Sequence, residues 1–218
     1  MQGVRAIVLV AAVMATSGCA LPFGEVPDPL PTLLNETTPD MEAGPPCELP
    51  PPPLDPAALE LDATAMPADE FWGYIDLLGG TTDEAGMEAL TSALAERDLD
   101  TIVAFDERLL LSLYSLDFVC RYDWYIANDP LDIGYLGDDG FLYARADTVA
   151  AGRENFEAAL AEGTIDWGTV DPTTGYGEIL LYVAWDAATR IGLEEEYWSA
   201  SGSTPISFET GSNPAGGW

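Results

Sequence analysis

The chain has 218 residues, and its 38 acidic side chains outnumber 7 basic ones, which gives a formal net charge of −31 at neutral pH. All of the basic residues are arginines, and the chain contains neither lysine nor histidine. Nucleic acid is excluded as a partner, because a phosphate backbone requires a basic surface. The missing residue types also exclude imidazole catalysis, histidine-based metal sites and Schiff-base chemistry. The acidity suits a soluble surface, either outside the cell or at high salt.

The first 18 residues have the pattern of a bacterial export signal that ends at a lipidation site. Arg5 precedes an apolar run from Ala6 to Ala15, which is too short to span a bilayer because a spanning helix needs about 20 residues. Thr16-Ser17-Gly18-Cys19 resembles the lipobox of bacterial lipoproteins. The alternative is an ordinary secretory signal with a chance cysteine nearby. We therefore predict a signal peptide at residues 1–18, acylation of Cys19, and a lipid-anchored protein of the cell envelope.

Composition divides the rest of the chain into three parts. Residues 19–58 are rich in proline and acids, which predicts an extended tether between membrane and domain. Residues 198–218 are rich in serine, glycine and proline, which predicts a disordered, flexible tail. Residues 59–197 form the predicted helical domain.

Two cysteines remain once Cys19 is lipidated. Cys47 lies in the tether and Cys120 lies in the domain. An oxidising compartment permits a disulfide between them, which would attach the tether to the domain. The alternative is a reduced, buried Cys120 and an unrelated Cys47, because sequence spacing does not establish proximity.

The spacing of apolar residues predicts helices along the domain. The first helix ends at Gly79-Gly80, and its apolar face consists of Phe71, Tyr74, Ile75 and Leu78. Thr81 and Glu84 match a capping box, which predicts a second helix that ends near Asp98. Asp100 is predicted to cap a third helix.

Further segments with helical periodicity follow. Residues 120–127 are predicted to be helical, and another helix is predicted from about Asp139 to Ala150 with a restart at Gly152. A last helix carries apolar residues from Ile179 to Ile191 and ends at Gly192. No segment alternates apolar and polar residues for long enough to predict a strand. The predicted fold class is all-α, a single irregular bundle of about five to six helices.

Several of these segments together resemble the family called domain of unknown function 4240, which consists of small bacterial helical domains. The matching pieces are, in chain order, Glu70-Phe71-Trp72 with Ile75, Ile102 with Phe105, Tyr122-Asp123-Trp124, Asp138-Asp139-Gly140-Phe141 with Arg145, and Gly152-Arg153-Glu154. The resemblance covers about residues 69–195. Gly137 stands where the family often has serine before the two aspartates. The resemblance implies a helical fold and no particular reaction.

The polar residues in the last two pieces form the candidate site, namely Asp138, Asp139, Arg145, Arg153 and Glu154. One interpretation is structural: an aspartate caps the helix, and ion pairs such as Asp139 with Arg145 or Arg153 hold two helices in register. The other interpretation is a pocket in which arginine binds an acidic ligand. The aromatic walls of that pocket would be Trp72, Tyr122, Trp124 and Tyr143. The structural interpretation is favoured, because aromatics at helical spacing more often belong to a core.

We interpret the chain as a lipid-anchored, extracytoplasmic binding or interaction module whose partner is an envelope protein or a small molecule. No cofactor and no metal site are assigned, and an enzymatic role is less favoured. One alternative is an envelope hydrolase that uses paired carboxylates. The other is a calcium-binding protein with an irregular carboxylate site. Its candidate ligands would be Asp129, Asp132, Asp138 and Asp139.

Overall fold

The structure is a computed structural model, and it describes residues 65–127, 137–165, 177–201, 206–213 and 216. Nine α-helices and one 3-10 helix account for the secondary structure in these ranges, in which no strand occurs. The predicted all-α class is therefore confirmed. The predicted signal peptide, Cys19 and the tether lie outside the described residues. None of the helices in the described ranges has both the length and the hydropathy that crossing a bilayer requires.

The first two helices begin and end close to the predicted positions. Helix α1 spans Ala68–Ile75 and continues as the 3-10 helix Asp76–Leu78. Gly79 ends this unit with a φ of 65°, a left-handed conformation that glycine adopts without strain. Helix α2 spans Glu84–Ala95, and its cap is Asp83 rather than Thr81. The Asp83 carboxylate accepts a hydrogen bond from the Gly86 amide at 2.8 Å, and the shorter Thr81 side chain donates to that carboxylate instead.

Helix α3 spans Leu99–Ser115 and lies at the centre of the fold. Its cap is Asp98 rather than Asp100, because the Asp98 carboxylate accepts from the Thr101 amide at 3.0 Å. It contacts α1, α2, α5, α8 and α9. Its fully buried side chains Ile102, Phe105 and Leu113 belong to the main hydrophobic core. Burial of such side chains stabilises the domain by about 1.5–3 kcal/mol each.

Three helices follow in the middle of the chain, namely α4 (Val119–Ala127), α5 (Asp138–Ala150) and α6 (Arg153–Glu162). The restart predicted at Gly152 is confirmed. Gly152 has a φ of 98°, which only glycine adopts readily, and this turn separates α5 from α6.

The last predicted helix is divided in two, and an unpredicted helix follows it. The two parts are α7 (Gly177–Leu180) and α8 (Val183–Arg190), and the added helix is α9 (Glu194–Ser201). Between α7 and α8, two amides bond back three residues instead of four, which tightens the chain into a turn. These changes raise the number of helices above the five to six expected. Helix α9 also crosses the predicted boundary between domain and tail.

The described part of the predicted tail is ordered against the helices, so the expectation of disorder is wrong for it. We call residues 206–213 the C-terminal segment. Its residue Asn213 has only 3% of its surface exposed, and its side chain donates to the Tyr114 carbonyl at 3.1 Å. The physical reason is that buried polar groups on the helices find their partners here, as described below. Glycine and serine content alone does not reveal such partners.

Candidate functional site

The predicted polar residues are divided between the interior and the surface. Asp138 and Asp139 lie exposed in the first turn of α5, and neither caps the helix. Their negative charges interact favourably with the positive end of the helix dipole. Glu154 is exposed in the first turn of α6. Arg145 is fully buried, whereas Arg153 has 49% of its side chain exposed. The five residues therefore do not form one cluster.

Protein atoms surround the Arg145 guanidinium. It donates to the carbonyl oxygens of Leu113 at 3.0 Å and Phe208 at 2.9 Å, and to Thr210 Oγ1 at 3.0 Å. The Asp117 carboxylate lies 3.7 Å away and is also fully buried. Burial lowers the pKa of Arg145 to about 10, although Asp117 opposes this shift, so the side chain stays charged at neutral pH. Arg145 thus holds structure together and does not present its charge to a pocket.

Asp117 joins the end of α3 to the C-terminal segment. Its Oδ1 accepts from the Gly211 amide at 3.0 Å, and its Oδ2 accepts from the Asn213 amide at 2.9 Å. We refer to Arg145, Asp117 and their hydrogen bonds to residues 206–213 as the Arg145–Asp117 network. Because a buried charge is stable only when paired and hydrogen-bonded, this network fixes the segment onto the helices.

Arg153 pairs with two acids at the surface. It donates to Asp69 at 2.8 Å and to Glu157 at 2.7 Å. The acid side chains are 92% and 58% exposed. The structure therefore pairs Arg153 with Asp69 and Glu157, and not with Asp139 as expected. Exposed pairs of this kind contribute little to stability.

Arg121 is a second fully buried arginine, and it binds helix ends. It donates to the carbonyl oxygens of Ser115 at 3.0 Å, Leu160 at 3.3 Å and Ala159 at 3.4 Å. These carbonyls lie at the C-terminal ends of α3 and α6, where the last acceptors of a helix lack partners within it and the dipole favours a cation. The Ala159 carbonyl also accepts from the Gly163 amide. Burial lowers the pKa of Arg121 to about 10. Within the described ranges no carboxylate forms an ion pair with it.

Of the cysteines, only Cys120 lies among the described residues. It is disulfide-bonded. Cys47 and Cys19 lie outside the described ranges, so the pairing of Cys120 with Cys47 stays a prediction.

Two of the predicted aromatic walls, Trp72 and Tyr122, pack with different hydrophobic clusters. Trp72 is buried in the core, and its ring centre lies 5.2 Å from that of Phe156. Tyr122 packs edge-on against Phe141 at 5.4 Å. The Trp124 side chain lies outside the described residues.

A groove of about 320 Å³ lies between α3, α8, α9 and the C-terminal segment. Helix α3 contributes one carboxylate and three leucines, namely Asp106, Leu109, Leu110 and Leu113. The other walls are largely aromatic or apolar and consist of Leu181, Tyr182, Trp185, Tyr197, Trp198, Ser201, Ile206, Ser207 and Phe208. This volume falls at the lower end of the range for small-molecule pockets, about 300–1,000 Å³.

Four aromatic residues form a continuous series along the groove. The ring centres of Tyr182 and Trp185 are 6.4 Å apart, those of Trp185 and Trp198 are 6.4 Å apart, and those of Trp198 and Tyr197 are 5.5 Å apart. Tyr182 is 47% exposed and Trp198 is 59% exposed. Adjacent exposed aromatics of this size are typical of interaction surfaces.

Asp106 places a carboxylate in this apolar surrounding. The Tyr197 hydroxyl donates to Asp106 Oδ2 at 2.9 Å. Burial raises the pKa of Asp106 to about 6, with a further rise from Glu107, while the Tyr197 hydrogen bond opposes the shift. At neutral pH the half-buried side chain is therefore mostly ionised, and no arginine of the described ranges forms an ion pair with it. Among the described residues, no cation compensates its negative charge.

The groove and Asp106 are absent from the predicted site residues. The available signal was an acid between Phe105 and Leu109 on the apolar face of α3, a position where a charge is unexpected. The groove also depends on Trp198 and Phe208, which belong to the predicted tail. No periodic pattern in that part of the sequence indicated that it would pack on the domain.

In the part of the chain that the structure describes, no three metal-ligating side chains lie close enough together to hold an ion. Asp129 and Asp132 lie outside the described residues. Of the four candidate calcium ligands, the structure therefore describes only Asp138 and Asp139, which lie exposed in the first turn of α5.

Comparison with known proteins identifies a family. No curated protein and no solved structure matches the chain. A family model described as a protein of unknown function (DUF4240) matches residues 66–189. This range runs from the residue before Pro67 through nearly all of α8, and it ends before α9 and the C-terminal segment. Since the match covers more than half of the chain, the protein belongs to the DUF4240 family.

Proposed function

We propose that this protein is a lipid-anchored, extracytoplasmic binding module that holds a small molecule in the groove between α3, α8, α9 and the C-terminal segment. The carrying observation is Asp106, a half-buried carboxylate with a raised pKa and no arginine partner among the described residues. Keeping such a charge in an apolar groove lowers stability. Proteins commonly tolerate that cost at sites that bind a ligand.

The shape and composition of the groove support this proposal. Concave, mostly apolar pockets with a few polar groups are typical of small-molecule sites. Here Asp106, Tyr197, Ser201 and Ser207 supply polar groups, and the leucines of α3 supply apolar surface. The exposed ring of Trp198 leaves part of the site open to solvent.

The anchoring part of the proposal rests on the sequence. The apolar run Ala6–Ala15 is followed by Thr16-Ser17-Gly18-Cys19, and the proline-rich residues 19–58 would separate the domain from the membrane. Metabolic labelling with a fatty acid tests this directly. We expect label in the wild type and none in Cys19→Ser, which should fractionate away from membranes. A Cys47→Ser variant is the matched control and should keep the label.

The single carboxylate in the groove favours binding over hydrolysis. Glycoside hydrolysis uses two carboxylates flanking the bond to be cleaved. Among the described residues that line the groove, Asp106 is the one with a carboxylate. Binding is therefore the function that this geometry supports best.

The binding function is tested by screening small molecules for a rise in melting temperature or a change in tryptophan emission. Trp185 and Trp198 line the groove, so occupancy should alter their fluorescence. Trp198→Ala should abolish a genuine hit without unfolding the protein, because that side chain is 59% exposed. Leu77→Ala is the control, because Leu77 is exposed. Tyr74→Ala would not serve as a control, because Tyr74 packs on the core. A hit that persists in Trp198→Ala would contradict this location.

A further inference from the structure

We infer, on the basis of the binding function proposed above, that the groove selects a small organic cation. The ligand would carry an ammonium group that pairs with Asp106 and an apolar body that packs against the aromatic rings and leucines. Three features of the groove favour such a ligand, namely the charge of the lining, the geometry of Asp106 and the arrangement of the rings.

The lining carries charge of one sign. Asp106 is the charged residue among the described lining residues, and arginine does not occur among them. The arginines on neighbouring elements have other partners: Arg145 lies 3.7 Å from Asp117, and Arg190 binds Glu88 at 2.6 Å. An anionic ligand would meet an uncompensated carboxylate, and the net charge of −31 would repel it further.

The hydrogen bonding of Asp106 leaves one oxygen for a ligand. Tyr197 donates to Oδ2, and this is the hydrogen bond that Asp106 forms among the described residues. Its side chain is only half-buried and lines the groove, so Oδ1 can accept from an ammonium group there. Charge-assisted hydrogen bonds of this kind are about twice as strong as neutral ones.

The aromatic series offers a second interaction with a cation. An ammonium within about 6 Å of a ring centre is attracted to the ring face, most strongly for tryptophan. Tyr197 links the two features, because its hydroxyl binds Asp106 and its ring lies 5.5 Å from that of Trp198. Ser201 also lines the groove and is the last residue of α9, so the negative end of that helix dipole lies at the groove.

A neutral ligand fits the groove less well. Filling the groove with a neutral molecule would remove water from Asp106 without supplying an opposite charge, which is unfavourable. An ammonium group compensates the carboxylate as it displaces that water. The volume of about 320 Å³ suits one compact molecule rather than a folded segment of a partner protein.

The test compares three probes of similar size by calorimetry on the full chain at physiological salt. The probes are 2-phenylethylammonium, the neutral 2-phenylethanol and the anionic 3-phenylpropanoate. We expect one ammonium per chain, bound about tenfold or more tightly than the alcohol, and no binding of the anion. Asp106→Asn should remove the preference for ammonium over alcohol. Glu195 is an exposed acid of α9 outside the groove lining. The variant Glu195→Gln should keep the preference for ammonium, so it controls for the loss of one negative charge.

The outcomes separate this inference from the proposed function. Equal affinity for ammonium and alcohol, with both lost in Trp198→Ala, would overturn the cation inference and leave the binding function intact. An ammonium preference that survives Asp106→Asn would overturn the inference as well. Failure of all three probes to bind, or binding that Trp198→Ala does not weaken, would overturn both. Circular dichroism of each variant confirms that it is folded.

Discussion

Two carboxylates on or next to α3 meet opposite surroundings. Asp117, just after the helix, is fully buried and lies 3.7 Å from the Arg145 guanidinium, with two backbone amides donating to it. Asp106, in the middle of the helix, receives one hydrogen bond from Tyr197 and has no arginine partner in the described ranges. The same residue type is compensated at one position and uncompensated at the other.

We infer that the difference separates a structural charge from one that is available to a ligand. Arg145 and Asp117 are fully buried and bond mainly to backbone groups of the fold, so we interpret the Arg145–Asp117 network as scaffold. An uncompensated carboxylate in an open groove lowers stability unless something binds it. In a protein with so few cations, the buried arginines identify where charge is structural, and no arginine occurs among the described residues that line the groove.

The largest expected effect comes from breaking the compensated site. Arg145→Met keeps most of the side-chain volume but leaves Asp117 buried without its cation, which should lower the free energy of unfolding by about 3–5 kcal/mol. Denaturant unfolding of the wild type and of Arg145→Met measures this loss of stability. Arg153→Met is the matched control: its partners are exposed, so its unfolding midpoint should stay near that of the wild type. Equal destabilisation by the two substitutions would contradict the distinction between network and surface.

Asp106→Asn should instead stabilise the protein at neutral pH. Because the pKa of Asp106 is raised from 3.8 to about 6, its contribution to stability is fully present below about pH 4 and is lost as the pH rises through 6. A shift of this size corresponds to up to about 3 kcal/mol at pH 8. The variant should therefore gain stability over the wild type at pH 8, and the gain should vanish at pH 4.

The pH comparison of Asp106→Asn with the wild type cancels other titrating groups. The hydrogen bond from Arg190 lowers the pKa of Glu88 to about 2. The contribution of Glu88 to stability therefore changes with pH in the opposite direction, but it is the same in both proteins. If Asp106→Asn is destabilised at every pH, the carboxylate is structural, and the contrast with Asp117 fails.

Arg121→Met sharpens the meaning of compensation. Arg121 and Arg145 are equally buried, but Arg121 satisfies carbonyls at helix ends and has no carboxylate pair in the described ranges. Its removal leaves acceptors unpaired without leaving a buried charge, so we expect a loss of about 1–3 kcal/mol. The free energy of unfolding of Arg121→Met should thus lie between those of the wild type and Arg145→Met. A loss as large as that of Arg145→Met would mean that the Asp117 charge is not what makes the network costly to break.

The positions of the helices could be predicted from the sequence, whereas the pairs of residues that are distant in the sequence could not. Apolar spacing predicted α1 to α6 with their approximate positions, because amphipathic periodicity is local information. Arg145 was named as a site residue, but its partners Asp117 and Phe208 are distant in sequence. Nothing in the spacing of residues indicates which acid will meet which arginine.

The groove could not be predicted for a related reason. Asp106 looks like one of many acids in the sequence, and its importance depends on Tyr197 and Trp198, which α9 brings across α3. The composition of residues 198–218 resembles that of a disordered tail. The interactions that order residues 206–213 come from Arg145 and Asp117, so the composition of the tail does not reveal them. The family match also ends at residue 189, so it covers only part of the groove.

The smallest expected effect connects the two regions through the C-terminal segment. The Phe208 carbonyl accepts from Arg145 while the Phe208 residue lines the groove, and Thr210 links Arg145 to the Asp138 carbonyl through its hydroxyl. Thr210→Val removes that hydroxyl at nearly constant volume and should cost about 1 kcal/mol of stability, whereas Thr210→Ser should keep the hydrogen bonds and the stability.

Because the same segment borders the groove, Thr210→Val should also weaken binding of 2-phenylethylammonium, and Thr210→Ser should not. Calorimetry of the two variants measures this effect. A loss of stability with unchanged affinity would show that the network holds the segment without shaping the groove. The compensated and uncompensated carboxylates would then be independent features of the fold rather than parts of one site with its support.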